Sequence, residues 1–242
     1  MKISVCMATY NGEKYIKEQI DSILSQLNEN DELIISDDFS FDTTLKIISE
    51  IKDRRIKSIV NKKNEGFVSN FEKALEIASG DVIFLSDQDD VWMPNKVELM
   101  LRELEKYDFV VSDCITINNT NKVIGESRFK EFNIKTGFIN IMIRSRYLGC
   151  CMAFRKNVLK ASLPFPKRKD LYEHDTWLAT VAECYFKTGL VYEPLIKYRR
   201  HESNVSSGGW GYGYSPIKKI TSRFYRIFSL MRIYPKIRTL KR

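Results

Sequence analysis

The sequence contains no run of about 18 apolar residues, so none of its segments is expected to cross a bilayer. It opens Met1-Lys2-Ile3-Ser4-Val5, straight into a strand-like run, without the layout of a signal peptide. No GxGxxG follows that run, and neither GxxxxGK[ST] nor GxSxG occurs. A dinucleotide fingerprint, a P-loop and a hydrolase nucleophile elbow are thereby excluded. Cysteine is sparse and odd in number (Cys6, Cys114, Cys150, Cys151 and Cys184), with no CxxC pair. A disulfide framework or zinc site is not expected, and a reducing cytosol fits best. Histidine is scarcer still, with only His174 and His201.

Acid is absent from Pro216 to Arg242, where nine residues are Lys or Arg. Residues 1–215 then hold 30 basic and 31 acidic side chains, a net of −1. The body is near neutral, which excludes a basic patch on it, and the excess charge sits in the tail. What is present is an ordinary globular mix: 242 residues, 43% hydrophobic and 29% charged, enough for a sizeable core.

The first 86 residues alternate between two periods. Short apolar runs at 3–8, 33–36, 56–60 and 82–85 read as strands. Between them, Ile16, Ile20, Ile23, Leu24 and Leu27 recur at helical spacing, as do Leu45, Ile48 and Ile51, and then Phe67, Phe71, Ala74, Leu75 and Ala78. Asp42 or a nearby Thr is placed to cap the second helix, and Gly80 to end the third. This alternation implies an α/β fold with a mostly parallel central sheet flanked by helices. Beyond Pro94 a helix over 95–106, a strand over 109–112, a strand over 148–154, a helix over 175–186 and an extended piece over 191–198 are expected. Residues 114–147 have no clear period and are expected to form a long, partly mobile segment. A Gly/aromatic loop, Gly208 to Tyr214, precedes the tail.

In parallel sheets, ligands bind beyond the carboxyl ends of the strands. Three polar clusters stand at such ends: Thr9-Tyr10-Asn11, Asp37-Asp38 and Asp87-Gln88-Asp89-Asp90. Three carboxylates in four residues repel one another unless a cation joins them. Mg²⁺ takes a few carboxylates with phosphate oxygens and water, so the third cluster reads as a metal–diphosphate platform. Asp37 and Asp38 can accept from a pyrimidine base or a ribose hydroxyl, or simply cap a turn. Glu173-His174-Asp175 opens a helix, where an acid either compensates the dipole or acts as a general base. Trp177 walls the pocket or belongs to the core. In Tyr198-Arg199-Arg200-His201, arginine suits phosphate oxygens, and His201 can complete a metal shell or donate to a leaving phosphate.

Ser4 to Gly12, Ile35 to Ser40 and Leu85-Ser86-Asp87-Gln88-Asp89-Asp90-Val91-Trp92 together resemble glycosyltransferase family 2, over roughly residues 1–205. The last motif is most similar to the bacterial rhamnosyltransferase-like branch, which builds capsule, O-antigen or cell-wall polysaccharide. The resemblance implies a GT-A fold and an inverting enzyme. Residues 1–112 would form its nucleotide-sugar half and 113–207 its acceptor and catalytic half, followed by the loop and tail of 208–242. It implies that Thr9, Tyr10, Asn11, Glu13, Asp37, Asp38, Asp87 and Gln88 bind the nucleotide of a UDP- or dTDP-sugar. Asp87, Asp89 and His201 would hold Mg²⁺ or Mn²⁺, and Asp175 would be the catalytic base. Glu173, His174, Trp177, Arg200, Gly149 and Cys150 would lie on the diphosphate and acceptor side. The QxxRW signature of processive members is missing, so a non-processive enzyme is implied. A non-catalytic nucleotide-sugar or glycan-binding module on the same fold is the alternative.

In the tail, Ile217, Ile220, Phe224, Ile227, Phe228 and Met231 share one stripe, and Pro235 is expected to stop the helix. Lys218, Lys219, Arg223, Arg226 and Arg232 lie off the stripe. Such a helix suits an anionic inner membrane surface, with the enzyme cytoplasmic and peripheral and its acceptor lipid-linked. Packing on the body or on a second subunit of a homodimer is the other reading. A nucleic-acid partner is not expected, because the strand-end acids would repel phosphate.

Overall fold

The computed structural model describes residues 1–201 and 215–240. Ser203 to Ser206 and the Gly/aromatic loop fall outside the described residues.

The first half alternates as its periods require: β1 (Ile3–Thr9), α1 (Ile16–Leu24), β2 (Glu32–Asp37), α2 (Thr44–Glu50), β3 (Ile56–Val60), α3 (Phe67–Glu76) and β4 (Val82–Ser86). These four strands are parallel, in the order β3-β2-β1-β4, with Val5 beside Leu33 on one side and Phe84 on the other. The runs are apolar throughout because both sheet faces are covered. Val5, Cys6, Met7, Leu33, Ile34, Ile35, Phe84 and Leu85 have no exposed surface.

The sheet then continues through β5 (Val91–Trp92), α4 (Lys96–Leu104), β6 (Phe109–Asn118), β7 (Val123–Gly125), α5 (Arg128–Phe132), α6 (Phe138–Ile143), a 3₁₀ turn at Gly149–Cys151, β8 (Met152–Arg155), α7 (Lys156–Ser162), α8 (His174–Tyr185) and β9 (Thr188–Arg200). Strand β8 enters antiparallel between β4 and β6, β9 lies parallel to β6, and β5 closes the edge antiparallel to β9. One sheet thus carries both halves, and β6 runs across residue 112. The chain ends on α9 (Pro216–Leu240).

Three expectations are corrected. Residues 114–147 form a strand extension, β7, α5 and α6, not a long structureless segment; elements of three to six residues are too short to display a period. Helix α3 ends at Glu76, not at Gly80. Gly80 instead lies against β1, where its N–H donates to Ser4 Oγ at 2.8 Å and an added Cβ would stand 2.6 Å from Ser4 N. Helix α9 runs through Pro235. The carbonyl that Pro235 leaves without its helical partner belongs to Met231, on the exposed side of the helix. Beyond it, Ile237 packs into the body.

Candidate active site

The strand ends and the start of α8 open on one cavity of about 770 Å³. Its lining includes Thr9, Tyr10, Asn11, Asp38, Asp87, Gln88, Asp89, Gly149, Glu173, His174, Asp175 and His201. Residues up to 192 positions apart are gathered there by the topology alone.

The loop after β1 is held by Gln88. Its Oε1 accepts from Tyr10 N at 2.9 Å and from the Thr9 hydroxyl, while its Nε2 donates to Tyr10 O at 3.1 Å. A methyl group at Gly12 would overlap Gln88 Oε1, so a larger residue there would displace the amide that holds the loop. Gln88 therefore spends its amide on positioning the loop. From α3, the buried Asn70 donates to Thr9 O and Ser36 O, tying the ends of β1 and β2 together.

Asp38 accepts from Asn61 Nδ2, Glu65 N and Gly66 N, each at 2.8 Å. It faces the cavity and shapes the 61–66 turn. Asp37 does not face it: its carboxylate accepts from Ser40 N and Ser40 Oγ at 2.8 and 2.6 Å and caps the turn. Glu13 is also diverted, accepting from the N–H and hydroxyl of Thr43 at the start of α2.

The acid loop after β4 is organised from β9. Arg199, 1% exposed, donates through Nε to Asp89 O at 2.7 Å and through Nη2 to Glu18 at 2.8 Å, and its plane lies 4.4 Å from the Tyr15 ring centroid. Its backbone N–H donates to Asp90 Oδ1 at 2.9 Å. Side chains alternate along a strand, so Arg200 falls on the opposite face from Arg199, with the cavity-lining Tyr198, and its Nη1 reaches the Tyr198 hydroxyl at 3.4 Å. Arg199, a residue that no motif singled out, ties the acid loop to β9. His201 brings Nε2 to 2.8 Å from Asp89 Oδ2.

Burial and the Asp89 charge push the Asp87 carboxyl up to about 7, and burial with the same charge pushes Asp90 well above the usual range. Asp90 Oδ2 is buried without a hydrogen-bond partner among the described residues. Crowded carboxylates with an orphaned oxygen are what a divalent ion relieves, and the donor set fits one. Ligand atoms of Asp87, Asp90 and Cys150 also lie within 4.8 Å of one another. Cys150 is fully buried, outside the cavity lining, and its hydrogen bond to Cys151 and its burial push the thiol up. A protonated thiol is a poor ligand for a hard cation, so Asp87 and Asp89, which line the cavity, are the better pair.

At the start of α8, Asp175 is raised well above the usual carboxylate range by burial and then by the Glu173 charge. Glu173 is itself raised by burial. His174 stacks on Phe71 at 3.8 Å, and neither ring nitrogen has a hydrogen-bond partner among the described residues. Burial lowers its pKa to about 3, so the ring is neutral. Gly149 leaves room for it: a Cβ there would stand 2.7 Å from His174 Nε2. Trp177 is corrected to a core residue, fully buried with Nε1 donating to Ser162 O at 3.0 Å.

The profile of Glycosyl transferase family 2 matches residues 4–163. UDP-Glc:alpha-D-GlcNAc-diphosphoundecaprenol beta-1,3-glucosyltransferase WfgD of Escherichia coli is 30% identical over 212 residues, which cover 85% of this chain and 79% of that protein. The dTDP-rhamnosyl transferase RfbG of Shigella flexneri is 28% identical over 249 residues, covering 91% and 81%. The crystal structure of S. aureus TarS 1-349 in complex with UDP-GlcNAc overlays with a TM-score of 0.69 at 21% identity, over 92% of this chain. This chain spans 64% of that one, and the likeness is one of fold, GT-A. No helix among the described residues is long and apolar enough to cross a membrane.

Proposed function

The chain belongs to glycosyl transferase family 2, and from that premise we propose that it moves a sugar from a UDP- or dTDP-sugar to a hydroxyl of a lipid-linked glycan, inverting the anomeric centre in one non-processive transfer. It is a glycosyltransferase of a family that builds polysaccharides. The observation that carries the finer reading is that Asp175 and the acid loop open on the same cavity.

Asp175 is the general base. Its raised pKa brings its basicity closer to the working pH, where proton transfer from an acceptor hydroxyl is most effective, worth about 10²–10⁴-fold. The deprotonated hydroxyl forms its bond to the anomeric carbon as the bond to the nucleoside diphosphate breaks on the opposite face. Asp87 and Asp89, with His201 alongside, would hold Mg²⁺ or Mn²⁺, which when bound neutralises charge on a diphosphate. Asp38 faces the base and ribose side, and Thr9, Tyr10 and Asn11 line the same end. UDP and dTDP donors and a lipid-linked acceptor are supported by the names of the relatives, one acting on a diphosphoundecaprenol-linked sugar. That acceptor sets the work in bacterial surface polysaccharide such as capsule or O-antigen, with the enzyme cytoplasmic and peripheral at the inner face of the cell membrane.

The test is transfer by Asp175→Asn, with the anomeric configuration of the wild-type product read by NMR. Turnover falls by at least 10²-fold and the wild-type product is inverted. A retained configuration, or an Asp175→Asn variant of unchanged turnover, contradicts the proposal.

A further inference from the structure

The outer face of α9 is turned away from the protein. On a helix of 3.6 residues per turn, Ser222, Arg226, Ser229, Leu230 and Ile237 fall on one side and are buried on the body. Opposite them lie Ile217, Ile220, Phe224, Ile227, Phe228 and Met231, all exposed, with Phe224 at 70%. The helix is not held by its apolar stripe. It docks through Leu230 and Ile237, buried against the core, and through specific polar contacts: Arg226 Nη1 donates to Thr180 Oγ1 at 2.9 Å, and the Tyr185 hydroxyl donates to Leu230 O at 2.9 Å. Apolar area on this scale is normally buried in a soluble chain.

The stripe does not stand alone. Arg223 donates to the last carbonyls of α6, Met142 O at 2.9 Å and Ile143 O at 2.6 Å. This contact brings beside α9 two further exposed side chains, Ile139 at 72% and Ile143 at 64%. Exposed apolar side chains of two helices distant in sequence are thus linked through Arg223. α9 contains no acid; Lys218, Lys219, Arg232 and Arg238 add cations along it, while Arg223 and Lys236 are bound to carbonyls of the body.

We infer that this composite surface of α6 and α9 lies on an anionic lipid bilayer. The charge selects the occupant. A second copy would set one acid-free cationic helix against another. A nucleic acid would satisfy the cations and leave eight large apolar side chains in water. An anionic bilayer accepts both components, the side chains at the acyl boundary and the cations at the headgroups. Each Lys or Arg at such a surface strengthens binding about fivefold. Thr180, which Arg226 holds, is on the helix that begins beside Asp175, so docking fixes the catalytic base relative to the membrane plane. This orientation rests on the transferase reading; the docking surface itself does not.

Flotation of the full chain with vesicles tests it. The protein rises with vesicles of phosphatidylcholine and phosphatidylglycerol in equal parts and stays behind with phosphatidylcholine alone. The double variant Phe224→Glu/Phe228→Glu and, separately, Ile143→Glu lower partition at least tenfold with an unchanged melting temperature. Three results overturn the inference: no flotation with anionic vesicles, variants that partition like wild type, or a concentration-dependent dimer abolished by these variants without vesicle binding. Sugar transfer enters none of these readings, so the surface and the transferase can fail independently.

Discussion

Arg199 Nε donates to the backbone carbonyl of Asp89 at 2.7 Å, across 110 residues of sequence. With the bond from its own N–H to Asp90 Oδ1, it fixes the acid loop to the last strand of the sheet. The loop's carboxylates are thus aimed by a cation that faces away from the cavity, leaving their cavity side for a ligand.

Replacing Arg199 with alanine removes three side-chain hydrogen bonds, to Asp89 O, Asn121 Oδ1 and Glu18, from a buried site, a loss of about 3–5 kcal/mol. Lysine cannot reproduce the fork. We expect Arg199→Lys to melt several degrees lower and to bind the nucleotide-sugar at least tenfold more weakly. Thermal melting and calorimetry check both.

The pH profile of turnover reports on the start of α8. The base must be deprotonated, and its pKa is raised, so activity climbs with pH through that raised value. Removing the Glu173 charge lowers the pKa of Asp175. Glu173→Gln therefore moves the acid limb toward lower pH. A limb that stays in place would mean that Asp175 does not set it.

Stability in acid reports on His174. Its folded pKa is depressed to about 3, while the unfolded chain titrates near 6.5. Below that higher value the unfolded chain takes up a proton that the folded one refuses, so stability falls as pH drops. The slope is about 1.4 kcal/mol per pH unit. Denaturant melts from pH 7 to pH 4 should show a flatter decline for His174→Gln than for wild type.

Much of this site was legible because strand ends are legible. Thr9, Asp38, Asp87 and Asp89 follow apolar runs, and the parallel sheet brings such ends to one edge. What the sequence withheld was side-chain direction. Asp37 and Asp38 are neighbours, yet one caps a turn and the other faces the cavity. Arg199 and Arg200 are separated by the alternation of a strand whose register no local pattern reveals. Trp177 lies two residues beyond Asp175, on the buried side of α8. Trp177→Ala should accordingly cost about 3–5 kcal/mol of stability, as for any large core truncation. Trp177→Phe should bind the nucleotide-sugar like wild type. Asn70 escaped notice because its donors serve backbone carbonyls, and Gln88, expected at the nucleotide, has its amide engaged by the loop after β1.

The tail was legible in composition and misread in extent. Its stripe was visible from spacing, but Pro235 does not end the helix, because tertiary packing of Ile237 outweighs one lost hydrogen bond. The pairing of that stripe with Ile139 and Ile143 depends on Arg223 reaching α6, which no sequence period records.

Calorimetric titration of UDP- and dTDP-sugars, with and without Mn²⁺, into wild type, Asp89→Ala and Asp175→Asn tests the shared pocket most directly. Ion-dependent binding should be at least tenfold weaker in Asp89→Ala and nearly unchanged in Asp175→Asn. Wild-type affinity in Asp89→Ala, or binding indifferent to the ion, would contradict a metal–diphosphate platform at the end of β4.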